Sequence, residues 1–140
     1  MKKFEEFIQE GVVRKQNPDK ARADDLIEES NRKFNALKRI ITKIGLDNEN
    51  ANDIVEDCHD ILFGIIRAKM LLVGFYASGK GAHEAEVSFL EKLNFNEYEV
   101  EFVNKLRYFR NGILYYGKRF DKEYADKVIE STKKIYKKLF

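Results

Sequence analysis

Residues 53–76 read DIVEDCHDILFGIIRAKMLLVGFY. Ile54, Val55, Cys58, Ile61, Leu62, Ile65, Ile66, Met70, Leu71, Leu72 and Val73 are apolar, and on a helical wheel they cover more than one face. A helix apolar nearly all round has to be surrounded by other elements. The pattern therefore predicts a central helix from about residue 53 to residue 76, with a core built around it. Gly64 and Gly74 interrupt it. Each weakens a helix by about 1 kcal/mol relative to Ala, and each leaves room for a close helix contact.

The segments on either side fit such a core. Upstream, Ala23, Leu26, Ile27, Ser30, Phe34, Leu37, Ile41 and Ile44 form one stripe among charged neighbours. They predict an amphipathic helix over 18–44, with Asn17 as its cap, Pro18 at its first position and Gly45 just past its end. Phe4, Phe7, Ile8 and Val12 predict a short helix before it, loosened at Gly11. The polar, Asn-rich stretch 46–52 is a loop.

Downstream, Ser78-Gly79-Lys80-Gly81 is a loop. It lacks the spacing and the preceding strand of a phosphate loop. A helix over 82–93 follows and breaks at Asn94-Phe95-Asn96. Asn96 with Glu99 has the form of a capping box for a fifth helix that stops at Gly117. A last helix from about Lys122 carries Ala125, Val128, Ile129, Thr132, Tyr136 and Leu139 on one stripe. Its closing lysines, Lys133, Lys134, Lys137 and Lys138, suit the negative end of a helix dipole. No segment alternates as a strand should. The expected fold is all-α: one domain over 1–140, an antiparallel up-and-down bundle of five or six helices.

Composition narrows the function classes. The balance of 26 Lys and Arg against 24 Asp and Glu leaves a net charge of +2, too little for a protein that coats nucleic acid by bulk charge. Cys58 is the single cysteine, so neither an intrachain disulfide nor a cysteine-rich zinc site can form, and Cys58 is expected in the core. No run approaches the roughly 20 apolar residues of a membrane span. Glu5 and Glu6 stand where a signal peptide has its apolar run. These features predict a cytoplasmic protein.

The fifth helix is two-sided. Phe102, Leu106, Phe109, Ile113 and Tyr116 form an expected core stripe. The other side mixes Arg107, Arg110, Asn111 and Tyr115 with Val100, Val103 and Leu114. That implies a second packing partner, either another helix of the chain or a second subunit. Arg107, Arg110 and Asn111 are three and four residues apart and can share one cleft. Two guanidinium groups and an amide suit phosphate or carboxylate. The plainer alternative pairs both arginines with Glu56, Asp57 or Asp60 of the central helix. His59 reads as a packed helix residue and His83 as an ordinary residue at a helix start.

The run Leu106-Arg107-Tyr108-Phe109-Arg110-Asn111-Gly112-Ile113-Leu114-Tyr115-Tyr116-Gly117 resembles the signature helix of the HEPN superfamily. Residues 19–27 resemble that family's first long helix, and residues 82–90 the segment after its central helix, so the resemblance spans about 10–130. It implies a helical bundle that forms a homodimer. It also implies metal-independent RNA cleavage in RNA-processing, toxin–antitoxin or defence systems. Arg110 and Asn111 match the family's Arg and Asn, and Tyr115 stands where the motif has His. The implied site is Arg110, Asn111 and Tyr115 from two subunits, with Arg107 and Arg110 on RNA phosphate and neither metal nor cofactor.

Histidine can serve as acid or base near neutrality, whereas Tyr, with a pKa of about 10, is a poor base there. The alternative implied is a non-catalytic HEPN module that binds nucleotide or RNA, or partners a minimal nucleotidyltransferase. A third reading is a helical scaffold with no ligand.

Overall fold

The computed structural model describes residues 1–140. The central helix α3 (Ala51–Leu72) has thirteen buried residues and packs against helices from both halves of the chain. Its most extensive neighbour is α2 (Lys20–Lys43), followed by α6 (Lys122–Leu139) and α5 (Glu97–Tyr116). The short helices α1 (Phe4–Gln9) and α4 (Ala82–Ser88), the latter continued by a 3-10 turn over Phe89–Leu93, close one end. There, Phe4 packs against Phe75 and Phe89. The molecule is thus a mostly helical bundle of six helices, as the hydrophobic periodicity implies. No helix is long and apolar enough to cross a membrane.

The central contact between α2 and α3 depends on Gly64. A β-carbon built there would lie 2.3 Å from the Ser30 hydroxyl oxygen, so the small residue permits the close approach anticipated for it. Cys58 is fully buried, and burial pushes its thiol up to about 12. It is a core residue and not a ready nucleophile. Asn96 caps α5 through the Glu99 amide while Glu99 returns a bond to the Asn96 amide, as the capping-box reading requires.

Four expectations need correction. The central helix does not run to Tyr76: it ends at Leu72, and Phe75–Ala77 forms a strand, β2, paired antiparallel with β1 (Val13–Lys15). An unbroken apolar run fits helix and strand equally well, and Gly74, with φ of +82°, makes the break. The chain therefore contains a small two-stranded sheet where no strand was expected; three-residue strands are too short to show alternation. The cap of α2 is Asp19, whose carboxylate accepts from the Arg22 amide, not Asn17. The preceding backbone is tied instead to the end of α3, with the Gln16 amide on the Gly74 carbonyl and the Asp19 amide on the Leu71 carbonyl.

The fourth correction concerns α5. Val100, Val103 and Leu106 are its fully buried residues, while Phe102, Phe109 and Ile113 pack at the core's edge. Tyr116, assigned to the core stripe, is 85% exposed. The fully covered part of α5 ends at Leu106, and packing at the core's edge continues to Ile113. Its last turns carry the exposed Tyr108, Leu114, Tyr115 and Tyr116.

Candidate functional site

Arg110 follows Val103 and Leu106 along the inner side of α5, and this register carries it over the polar break in α3. It reaches a cleft of about 310 Å³ bounded by α2, α3, α4 and α5. Glu29, Ser30 and Lys33 line one wall; His59, Asp60, Phe63, Gly64 and Arg67 form the floor; His83 and Arg110 close the far side. His59, Phe63 and Arg67 recur every four residues, the spacing that puts side chains on one helical face. On that face the polar His59 and Arg67 flank Phe63.

Two charge clusters meet in this cleft. The first centres on Glu86, which is 2% exposed. Arg67 donates to both of its oxygens, at 2.7 and 3.2 Å, and His83 Nδ1 lies 2.9 Å from Oε1. Burial disfavours the carboxylate, but the bonds from His83 and Arg67 outweigh it and hold the group below the usual carboxylate range.

The second cluster centres on Asp60. His59 Nδ1 lies 3.0 Å from Oδ1, and Arg110 Nε lies 3.4 Å from the same oxygen. Burial again works against ionisation, and His59, Arg110 and Lys33 together hold the carboxyl low. Burial, with help from the Arg110 charge, pushes the His59 imidazole below its ordinary value despite Asp60. His59 is therefore neutral at pH 7.

The ion pair of Arg110 and Asp60 is poorly aligned. Asp60 Oδ1 is committed to His59, and the buried Nε of Arg110 has no hydrogen-bond partner. That nitrogen is shielded from solvent, so an incoming acceptor would meet the outer part of the guanidinium, whose side chain is 31% exposed. Lys33 reaches Asp60 only at 3.9 Å, and Glu29 is turned away to Arg32. The cleft thus offers an unsatisfied guanidinium nitrogen, a loosely held ammonium and two imidazoles. No three His, Cys, Asp or Glu side chains converge as a metal site.

The residues singled out on α5 are dispersed. Arg110 lines the cleft and forms the ion pair with Asp60 that the plainer reading anticipated. Arg107 does not line it; its guanidinium donates to Asn104 Oδ1 and lies 4.4 Å from the centre of the Tyr108 ring. Asn111 is half-buried, and Tyr115 is 74% exposed at the outer end of the helix. Within one chain Arg107, Asn111 and Tyr115 do not assemble with Arg110.

His59, Arg67, His83 and Glu86 are the residues that reading the sequence did not gather. Two signals pointed to them: the four-residue recurrence on α3, and a His-Glu pair three apart at the start of α4. Comparison with protein-family models, with curated proteins and with solved structures yields no match.

Proposed function

We propose that this cleft binds a phosphate group of RNA or of a nucleotide, in a protein of HEPN type acting in RNA processing or in toxin–antitoxin or defence systems. The observation that carries the reading is the partly exposed Arg110 guanidinium lining a cleft shared with Lys33, Arg67 and two histidines, in an ion pair with Asp60 that falls short of a hydrogen bond. A phosphate oxygen supplies the acceptor that Asp60 does not, and charge-assisted bonds from guanidinium to phosphate are among the stronger ones. The signature run around Arg110-Asn111 supports the same assignment. The homodimer belongs to this proposal: the exposed Tyr108, Leu114, Tyr115 and Tyr116 give a second copy an aromatic surface at the end of α5. Through it, Tyr115 and Asn111 of one copy would approach the cleft of the other.

The test is the fluorescence anisotropy of a labelled single-stranded oligoribonucleotide in EDTA, for the parent and for Arg110→Ala. Losing a charged hydrogen bond of about 1.5–3 kcal/mol weakens binding about 10- to 100-fold. Equal affinities would remove the basis of the proposal.

A second reading is a non-catalytic module that binds RNA or nucleotide or partners a minimal nucleotidyltransferase. It is favoured by Tyr115, which stands at the position of the motif histidine, is 74% exposed and does not line the cleft of its own chain. The scaffold reading, by contrast, leaves the unpartnered Arg110 nitrogen without a purpose.

A further inference from the structure

We propose that His59 and His83 act as the base and the acid of a ribonuclease site in this cleft, so that the imidazole chemistry absent at position 115 is supplied from α3 and α4. The proposal rests on the phosphate-binding reading of the cleft and adds a reaction to it. The chain has only two histidines, 24 positions apart in the sequence, and the fold brings their rings to 6.2 Å between centres in one cleft. Each ring is anchored in the same manner. Nδ1 of His59 is held by Asp60 and Nδ1 of His83 by Glu86. A carboxylate on Nδ1 fixes that nitrogen as the donor and leaves Nε2 for the reaction.

Phe63 completes the arrangement. It stacks on His59 at 4.3 Å and meets His83 edge-on at 5.7 Å, so one buried side chain sets the relative position of both rings. Arg67 holds Glu86 by two bonds, which orients the carboxylate that orients His83.

The two imidazoles differ in their access to solvent. His59 is 4% exposed and faces a full set of charges: Lys33 and Glu29 from α2, Asp60 and Arg67 from α3, His83 and Glu86 from α4, and Arg110 from α5. Burial and Arg110 keep it neutral, ready to accept a proton. The His83 side chain is 51% exposed, and its Nδ1 lies 2.9 Å from Glu86 Oε1.

With a phosphodiester on Arg110, His59 Nε2 takes the proton of the ribose 2′-hydroxyl. The 2′-oxygen forms a bond to phosphorus while the bond from phosphorus to the 5′-oxygen breaks. That oxygen takes a proton from His83 Nε2. The products are a 2′,3′-cyclic phosphate and a free 5′-hydroxyl, and both imidazoles return to their starting states by proton exchange with water. Arg110 offers the exposed part of its guanidinium to the charge that develops on the phosphate oxygens.

The probe is a labelled single-stranded oligoribonucleotide in EDTA at pH 7, with an oligonucleotide of the same sequence in deoxyribose as control. Binding and cleavage are both read for the parent, His83→Gln and His59→Gln. The expected result is cleavage by the parent to 2′,3′-cyclic phosphate ends, with no cut in the deoxy control. His83→Gln should bind within threefold of the parent and cleave about 10²-fold or more slowly. His83 is half-exposed, so that variant remains testable even if replacement of the buried His59 unfolds the protein. Binding without cleavage by the parent, or undiminished cleavage by His83→Gln, overturns the histidine pair and leaves the phosphate reading standing. Failure of the parent to bind overturns both.

Discussion

Replacing Arg67 by Ala is expected to lower the stability of the protein by about 3 kcal/mol at pH 7, the low end for a broken buried ion pair because the Arg67 side chain is 31% exposed. The substitution leaves the 2%-exposed Glu86 with His83 as its sole polar partner, and an uncompensated buried charge is the costly outcome. In a chain of this size, the melting temperature should fall by about 10 °C. The sign with pH follows from Glu86, whose carboxyl lies below its ordinary value of 4.5 in the folded protein. The stability it confers is complete above that value and is lost as pH falls through the lowered one. The gap between parent and variant is therefore widest near neutrality and closes in acid. Adding Glu86→Gln to the variant removes the stranded charge, so the double variant should be more stable than Arg67→Ala alone. Urea unfolding of the three proteins at pH 7 and at pH 3 checks the set. A single variant within about 0.5 kcal/mol of the parent at pH 7 would show that the pair is not structural.

The second large effect is at Gly74, where Ala should cost about 3 kcal/mol by combining backbone strain with a steric clash. Its φ of +82° is unfavourable for any residue with a β-carbon, and a β-carbon there would stand 2.4 Å from the Gln16 carbonyl oxygen. The neighbour is backbone, so a rotamer change cannot relieve the contact. The two segments are also clamped together, since the Gln16 amide donates to the Gly74 carbonyl at 2.8 Å. Moving apart to make room would break that bond and loosen β1 from β2. The loop after β2 leads to α4 and His83, so the damage should reach the cleft as well as the melting temperature. Gly79 is the internal control: its φ is +76°, but nothing lies within 4 Å of a β-carbon there. Gly79→Ala should cost only about 1 kcal/mol, which thermal melts of both variants will resolve.

Hydrophobic periodicity made the helical architecture legible because each long helix presents a continuous stripe or an all-round apolar surface. The ends were legible where a cap has a side-chain signature, as at Asn96 with Glu99. They were obscured where tertiary hydrogen bonds decided the boundary, as at Asp19. On α5 the stripe was legible from Phe102 to Ile113, and Tyr116 was misplaced because the core stops short of the last turn.

For the site, local spacing gave Arg110 its place on a helix and offered Asp60 as a partner. It could not give the cleft itself. His59, Arg67, His83 and Glu86 belong to two helices whose adjacency is a tertiary fact, and each of them alone has an ordinary structural reading. The exposed position of Tyr115 likewise depends on where the core stops along α5.

The central claim, that a ribonucleotide phosphate enters the cleft beside Arg110, is tested most directly through the two histidines. Their imidazole Cε1–H resonances are the only ones of their kind in the chain. Titrating the protein at pH 7 with a short 2′-O-methyl oligoribonucleotide, which cannot be cleaved at its 2′-positions, places a phosphate in the cleft without turnover. The account requires both resonances to shift together with the bound fraction in the parent, and both to stay in place at the same concentrations in Arg110→Ala. Saturable binding that moves neither histidine would put the ligand elsewhere on the molecule and contradict the assignment of the site.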